Sequence, residues 1–172
     1  MIRDAEIKDF PAVLALNEES ERFLSPMVAT RLSQLHERAA YHRVVEVDAT
    51  ITAFLLAFRE GTDYDSPNYR WFSERYESFL YIDRVVVSVL QQGRRFGAAL
   101  YDDLFKFAKR FAITTVTCEF DIHPINEASK RFHSKFGFRE VGTQWVANGK
   151  KQVSLQEMTQ VLQPNHTMER TR

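Results

Sequence analysis

Val85-Val86-Val87-Ser88-Val89-Leu90-Gln91-Gln92-Gly93-Arg94-Arg95-Phe96-Gly97-Ala98-Ala99-Leu100 is where the chain declares its architecture. A β-branched run stops at a basic, glycine-containing turn, and a helical pattern follows. Strand, loop and helix in that order make an anion cradle. The first N–H groups of a helix have no intrahelical acceptor, and the helix dipole adds roughly half a positive charge there, so a pyrophosphate is a natural guest. Gly97 lets the chain approach such a ligand closely, and Arg94 and Arg95 set full charges beside it. Two other phosphate-binding patterns are absent: Gly-x-x-x-x-Gly-Lys-Ser/Thr and Gly-x-Gly-x-x-Gly. A nucleotide triphosphatase or a Rossmann domain therefore loses its main support.

Working outward, the 172 residues suit one domain, long enough to bury roughly two-thirds of the unfolded surface without disulfides or metal. Lysine plus arginine and aspartate plus glutamate both total 23. With no net charge, no long-range field recruits nucleic acid or an anionic membrane. Cys118 is the lone cysteine and lies in an alternating apolar run, the setting of a buried small hydrophobe rather than a nucleophile. A reducing cytoplasm is the expected compartment. The N-terminal residues lack the apolar core of a signal peptide, and no apolar run reaches the roughly 18 residues of a membrane span.

The periodicities predict a short strand at Ile2, then a helix capped by Asp9 with Pro11 in its first turn and an apolar stripe of Val13, Leu14 and Leu16. Ser25-Pro26 ends it, and a second helix follows over 27–40. Residues 43–47 and 51–58 read as a hairpin, and 79–87 as the next strand. After the cradle and a helix to about Arg110, 113–121 is a strand alternating Val116, Cys118 and Phe120 with polar neighbours. Residues 125–136 are helical with Gly137 as a left-handed cap, and two last strands meet around Asn148-Gly149. The expected fold is α/β (α+β): a mixed, mostly antiparallel central sheet flanked by helices on both faces. Residues 1–162 form one domain in this reading, and 163–172 a polar tail.

Residues 61–77 resist the pattern, being too long for a hairpin loop and rich in aromatic side chains. Two readings stay open. They anchor a surface excursion onto the sheet, or they form a lid over an acceptor pocket, with Asp63 or Asp65 attracting an ammonium group and Tyr64, Tyr69 or Trp71 as walls.

Gln92-Gly93-Arg94-Arg95-Phe96-Gly97 resembles the Gln/Arg-x-x-Gly-x-Gly/Ala acetyl-CoA loop of the GCN5-related N-acetyltransferases, the GNAT superfamily. Downstream, Asn126-Glu127-Ala128-Ser129-Lys130-Arg131-Phe132-His133-Ser134-Lys135-Phe136-Gly137-Phe138 is similar to that family's Asn-x-x-Ala/Ser-x-x-Phe-Tyr-x-x-x-Gly-Phe segment, in register. Two departures stand out. Arg95 occupies the usual place of the loop's first glycine, and His133 that of the tyrosine. The cradle then requires Arg95 to take a loop conformation that an L-residue tolerates, since non-glycine residues seldom take positive φ.

The resemblance implies an acetyl-CoA-dependent N-acetyltransferase with direct transfer and CoA as product. It implies that Val85, Val86 and Val87 pair through the backbone with pantetheine, that Gln92, Gly93, Arg94, Arg95, Phe96, Gly97 and Ala98 hold the pyrophosphate, and that Asn126 contacts the pantetheine or acetyl end. It also implies that His133 stands in for the tyrosine acid, and that a strand N–H, that of Val87, polarises the thioester carbonyl.

Such a transfer needs a neutral amine, hence a general base. Asp83 and Glu119 interrupt otherwise apolar strands. Period two sets Tyr81, Asp83, Val85 and Val87 on one face unless a bulge intervenes, and burial there raises a carboxylate's pKa. An ion pair of Asp83 with a nearby arginine is the structural alternative. The resemblance favours Glu119, and the choice stays open here. No metal-ligand spacing is legible. A small-molecule amine and a peptide are both open as acceptor, with Asn17-Glu18-Glu19 and Ser25 as candidate contacts. A homodimer is the default if the chain assembles. A non-catalytic acyl-CoA-binding or sensing module is the competing function, and nucleic-acid binding has little support.

Overall fold

The computed structural model describes residues 1–160. The chain runs β1 (Ile2–Asp4), α1 (Phe10–Glu19), α2 (Ala29–Arg38), β2 (Tyr41–Val47), β3 (Thr50–Arg59), α3 (Pro67–Ser73) and β4 (Leu80–Val87). It continues with α4 (Phe96–Arg110), β5 (Thr115–His123), α5 (Glu127–Lys135), β6 (Arg139–Val146) and β7 (Lys151–Thr159). The expected tail, 163–172, lies outside the described residues.

All seven strands join one sheet in the order β1-β2-β3-β4-β5-β7-β6. Every neighbouring pair is antiparallel except β4 with β5. Helices cover both faces, as the alternation of strands and helical segments implied. On one face Leu100, Tyr101 and Leu104 of α4 pack over Leu55, Ile82 and Cys118. Opposite, Val13, Leu16 and Leu32 of α1 and α2 meet Val44, Phe54 and Val86. Beside them Tyr69 and Phe72 of α3 close an aromatic cluster over Phe58, Phe79 and Tyr81.

Residues 61–77 thus hold a helix that the sequence reading did not resolve. Ser66 caps it by accepting a hydrogen bond from the Tyr69 N–H at 3.3 Å, and Pro67 starts its first turn. Helix α5 begins at Glu127 rather than Ile125, because Asn126 is its cap and accepts from the Ser129 N–H at 3.0 Å. Asp9 makes no side-chain cap on α1. Its carboxylate accepts from the Arg3 guanidinium at 2.7 and 2.9 Å and from the Glu6 N–H at 2.8 Å, fastening the turn before the helix.

A bulge decides which way β4 faces. The partner of Leu56 is Arg84 and the partner of Ala57 is Ile82, so Asp83 is the extra residue between them. One inserted residue reverses the alternation beyond it. The single face expected for Tyr81, Asp83, Val85 and Val87 is therefore corrected. Val85 and Val87 pack with Ile82 toward α4, whereas Tyr81 and Val86 belong to the clusters on the opposite face.

Beyond the bulge β4 also leaves β5. The two strands pair only at Leu80↔Val116 and Tyr81↔Thr117, while β4 stays registered with β3 up to Ala53↔Val87. The Ser88 N–H donates to the Thr52 carbonyl at 2.9 Å. By alternation the Val86 amide points the same way, and the N–H and C=O groups of Val85 and Val87 turn into the gap, where no strand meets them.

Candidate active site

A cleft of about 1050 Å³ occupies that gap. Its donor end is built by β4, the turn after it and the start of α4. Val85, Val86, Val87, Gln92, Gly93 and Gly97 line it, with Asn126 across the cleft. Arg95 sits immediately before α4 at φ +65°, ψ +16°, left-handed backbone that L-residues adopt only at a cost. The geometry that the family's glycine would supply is thus present in an arginine. Gly93 has φ +81° beside it. A Cβ added to Gly97 would meet the Phe132 ring at 3.4 Å and Val87 at 3.6 Å, so this residue marks where α4 lies closest to α5 and β4.

Arg94, Arg95, Phe96 and Ala98 are not on the cleft lining. Arg94 donates to the Gln91 side chain at 2.6 Å and lies over the Phe96 ring. A pantetheine arm fits this end on two observations: unpaired strand amides at Val85 and Val87, and a helix N-terminus beyond them.

Both carboxylates line the cleft, in different states. Asp83 is doubly held: the Tyr64 hydroxyl donates to Oδ1, and Arg84 Nε donates to Oδ2 at 2.7 Å. Arg84 continues to the Asn17 side-chain carbonyl at 2.7 Å, and Asn17 donates to the Ser25 carbonyl at 3.2 Å. Burial alone would lower the Arg84 pKa, but the adjacent Asp83 carboxylate outweighs it and the pKa is raised. Glu119 accepts one hydrogen bond, from the Tyr81 hydroxyl to Oε1 at 3.0 Å, and its buried Oε2 has no partner among the described residues. Burial, reinforced by the negative charge of Asp83, pushes its pKa up to about 8.

His133 occupies the expected helix but not the expected chemical state. It is buried; Nδ1 lies 2.8 Å from the Ser129 carbonyl and Nε2 lies 2.7 Å from the Tyr101 hydroxyl. A carbonyl can only accept, so Nδ1 carries the proton and Nε2 accepts from Tyr101. Burial lowers the His133 pKa to about 4. His133 lines the cleft, but its ring is neutral at pH 7 and both nitrogens are engaged within the fold, so it offers no free N–H of the kind expected of an acid there.

The long segment divides between the two readings given for it. Tyr64 and Asp65 line the cleft, but Asp63, Tyr69 and Trp71 do not. Asp63 is exposed, with Arg38 at 3.8 Å. The Tyr69 hydroxyl donates to the Arg59 carbonyl at 2.7 Å within the core. Trp71 lies against Gly142, where an added Cβ would come within 2.6 Å of the ring, and the Arg75 guanidinium lies over the ring at 4.1 Å. Asp65 is ion-paired with Arg31, which also lies over the Tyr64 ring.

Sequence reasoning missed Lys151, which donates to the Asp121 carboxylate at 3.0 Å and to the Arg22 and Phe23 carbonyls at 3.3 and 3.4 Å. The second of two lysines after an Asn-Gly turn gives no signal for so distant a contact. The ion-pair alternative for Asp83 named a nearby arginine without saying which, and the structure supplies Arg84. Among the described residues no group of three or more His, Cys, Asp or Glu side chains is placed to hold a metal ion, and no helix is long and apolar enough to cross a membrane.

The cleft thus lies between a splayed pair of parallel strands with a helix N-terminus at its mouth, and comparison with known proteins identifies the family that carries this fold. The acetyltransferase (GNAT) family model matches residues 2–138, and the chain belongs to that family. Acetyltransferases of this family use acetyl-CoA. Among solved structures, Ard1 from Thermoplasma volcanium superposes with a TM-score of 0.77 at 15% identity, covering 94% of this chain and 97% of that one. The ribosomal-protein-S18-alanine N-acetyltransferase from Escherichia coli gives 0.70 at 14% identity, with 92% of each chain covered. The structure of yncA from Salmonella typhimurium with its cofactor acetyl-CoA gives 0.70 at 17% identity, again with 92% of each chain covered. No curated protein sequence matches.

Proposed function

We propose that the protein transfers the acetyl group of acetyl-CoA directly to a primary amine, with Glu119 as general base and residues 1–162 as one cytoplasmic catalytic domain. The observation that carries this reading is the Glu119 carboxylate, which faces the cleft with one oxygen unpartnered. Acetyl-CoA supplies an activated acyl carbon and a thiolate leaving group. Glu119, once ionised, removes the ammonium proton directly or through one water, leaving the nitrogen lone pair to form the new C–N bond. The Val87 N–H, fixed by pairing of β4 with β3, donates to the thioester oxygen as its charge develops, and the Val85 backbone is left to pair with the pantetheine arm. The C–S bond then breaks. The nitrogen of the adduct still carries one proton too many, and that second proton passes to the departing thiolate, directly or through water, while the first leaves Glu119 for solvent; the products are the neutral amide, the CoA thiol and one released proton.

Asp83 serves in this scheme as a fixed negative charge. Burial first, and the neighbouring Asp83 carboxylate second, keep the Glu119 pKa high enough for proton abstraction near neutral pH. CoA release measured over a panel of primary amines tests the proposal, alongside calorimetry of acetyl-CoA binding. Turnover is expected with at least one amine. Tight acetyl-CoA binding without turnover of any amine overturns the enzyme reading in favour of an acyl-CoA sensor.

A further inference from the structure

The acceptor half of the cleft is described by how its charges cancel. Three cations face it, and each is already neutralised within the wall. Arg31 pairs with Asp65, Arg84 with Asp83 at 2.7 Å, and Lys151 with Asp121 at 3.0 Å. Among the described residues lining this half, the carboxylates outside those pairs are Glu119 at the floor and Glu21 at the rim. No lining cation is left to receive a substrate carboxylate, whose desolvation would go uncompensated. Leu24, Met27, Tyr64 and Val153 give the remaining surface its apolar part, beside the polar Ser20, Ser25, Ser66 and Asn68.

The second observation concerns access. Residues 20–28, which join α1 to α2, are held from both sides. Lys151 of β7 reaches the Arg22 and Phe23 carbonyls, and Asn17 and Arg84 reach the Ser25 carbonyl at 3.2 and 3.5 Å. Both sides are also walls of the cleft. The Lys151 contacts therefore tie β7 to this segment across its end. An extended peptide would have to break those contacts to lie through the cleft, whereas a compact molecule would not.

From this geometry we propose that the acceptor is a small primary monoamine with an apolar, arylalkyl-like body and no carboxylate. A free amino acid and a peptide N-terminus are disfavoured on these grounds; a polyamine is disfavoured by the apolar side chains alone, since Glu21 at the rim is a carboxylate outside the pairs. The inference rests on the acetyltransferase reading above. The Arg31–Asp65 pair supplies its sharpest test, because it is partly exposed and breaking it leaves an unpaired guanidinium on the wall.

The experiment measures kcat/KM for 2-phenylethylamine, phenylalanine, spermidine and a short alanine-initiated peptide, with acetyl-CoA binding followed by calorimetry. 2-Phenylethylamine is expected to exceed the other three by about tenfold or more, the scale of one uncompensated or lost charge-assisted contact. A higher kcat/KM for any of the other three overturns the inference and leaves the enzyme reading standing. Acetyl-CoA binding with no turnover of 2-phenylethylamine also overturns it; absence of acetyl-CoA binding overturns both. In Asp65→Asn the ratio of kcat/KM for phenylalanine to that for 2-phenylethylamine is expected to rise about tenfold, because freed Arg31 receives the carboxylate. An unchanged ratio shows that Arg31 does not face the acceptor, and the charge argument falls with it.

Discussion

Strand β4 has two edges with opposite fates. Toward β3 it is registered along its length, from Arg59↔Leu80 to Ala53↔Val87, whereas toward β5 it pairs only through Leu80 and Tyr81. The carboxylates on either side of the opening repeat the contrast. Asp83 has a donor on each oxygen; Glu119 has a donor on one. One edge and one carboxylate hold the fold together, while the other edge and the other carboxylate keep hydrogen-bonding capacity for what enters. A site is thus recognisable as the place where structure stops satisfying itself.

The contrast is broken most severely on the satisfied side. Arg84→Met leaves Asp83 buried without its cation and is expected to destabilise by about 3–5 kcal/mol in chemical denaturation. Asp83→Asn combined with Arg84→Met should recover much of that loss. A change under about 1 kcal/mol for the single variant would mean that the pair is solvated rather than sealed.

On the unsatisfied side, Glu119→Gln is expected to lower kcat/KM by ~10²-fold or more at pH 8 while acetyl-CoA affinity is retained. The wild-type profile should climb with pH, pass its midpoint near pH 8, where Glu119 is half ionised, and level off above it, and the variant should lack that limb. A profile that survives the substitution would remove Glu119 as base.

The same residue makes a stability prediction of opposite sign. Its folded pKa of about 8 lies above the ordinary 4.5, so the native state holds a proton that the unfolded state releases. That contribution is full below about pH 4.5 and is lost as pH rises through about 8. The thermal midpoint of Glu119→Gln should therefore improve relative to wild type between pH 5 and pH 9, and a constant difference would contradict the raised pKa.

The smallest expected effect lies at the mouth of the open edge. Arg95→Gly relieves left-handed backbone and should stabilise by up to ~1 kcal/mol, less whatever the unfolded glycine gains in entropy. A loss on denaturation would show that the Arg95 side chain contributes more than its strain costs.

Much of the donor end was legible because backbone geometry is local. The valine run, the basic turn and the in-register downstream block lie in contiguous residues, and the fold class followed from their order. What escaped depended on distance in sequence. The bulge at Asp83 is set by register with β3, so the period-two reading failed at one residue and every face beyond it reversed. The engaged state of His133 was not legible, because helix position alone says nothing of Tyr101, thirty-two residues earlier and 2.7 Å away. The aromatic richness of 61–77 was visible, but which rings face the cleft depended on a short helix started by Ser66 and Pro67.

The turned-out amides of the open edge have a consequence on another timescale. Amide hydrogen exchange along β4 should alternate residue by residue, slow at Val86, which faces β3, and faster at Val85 and Val87, which face the gap. Few strands in a packed domain carry such a signature, since a central strand is usually protected at both edges. A molecule that lays its own carbonyls along the gap would erase the alternation, so the exchange pattern reads occupancy at single residues, whether or not the bound molecule ever reacts.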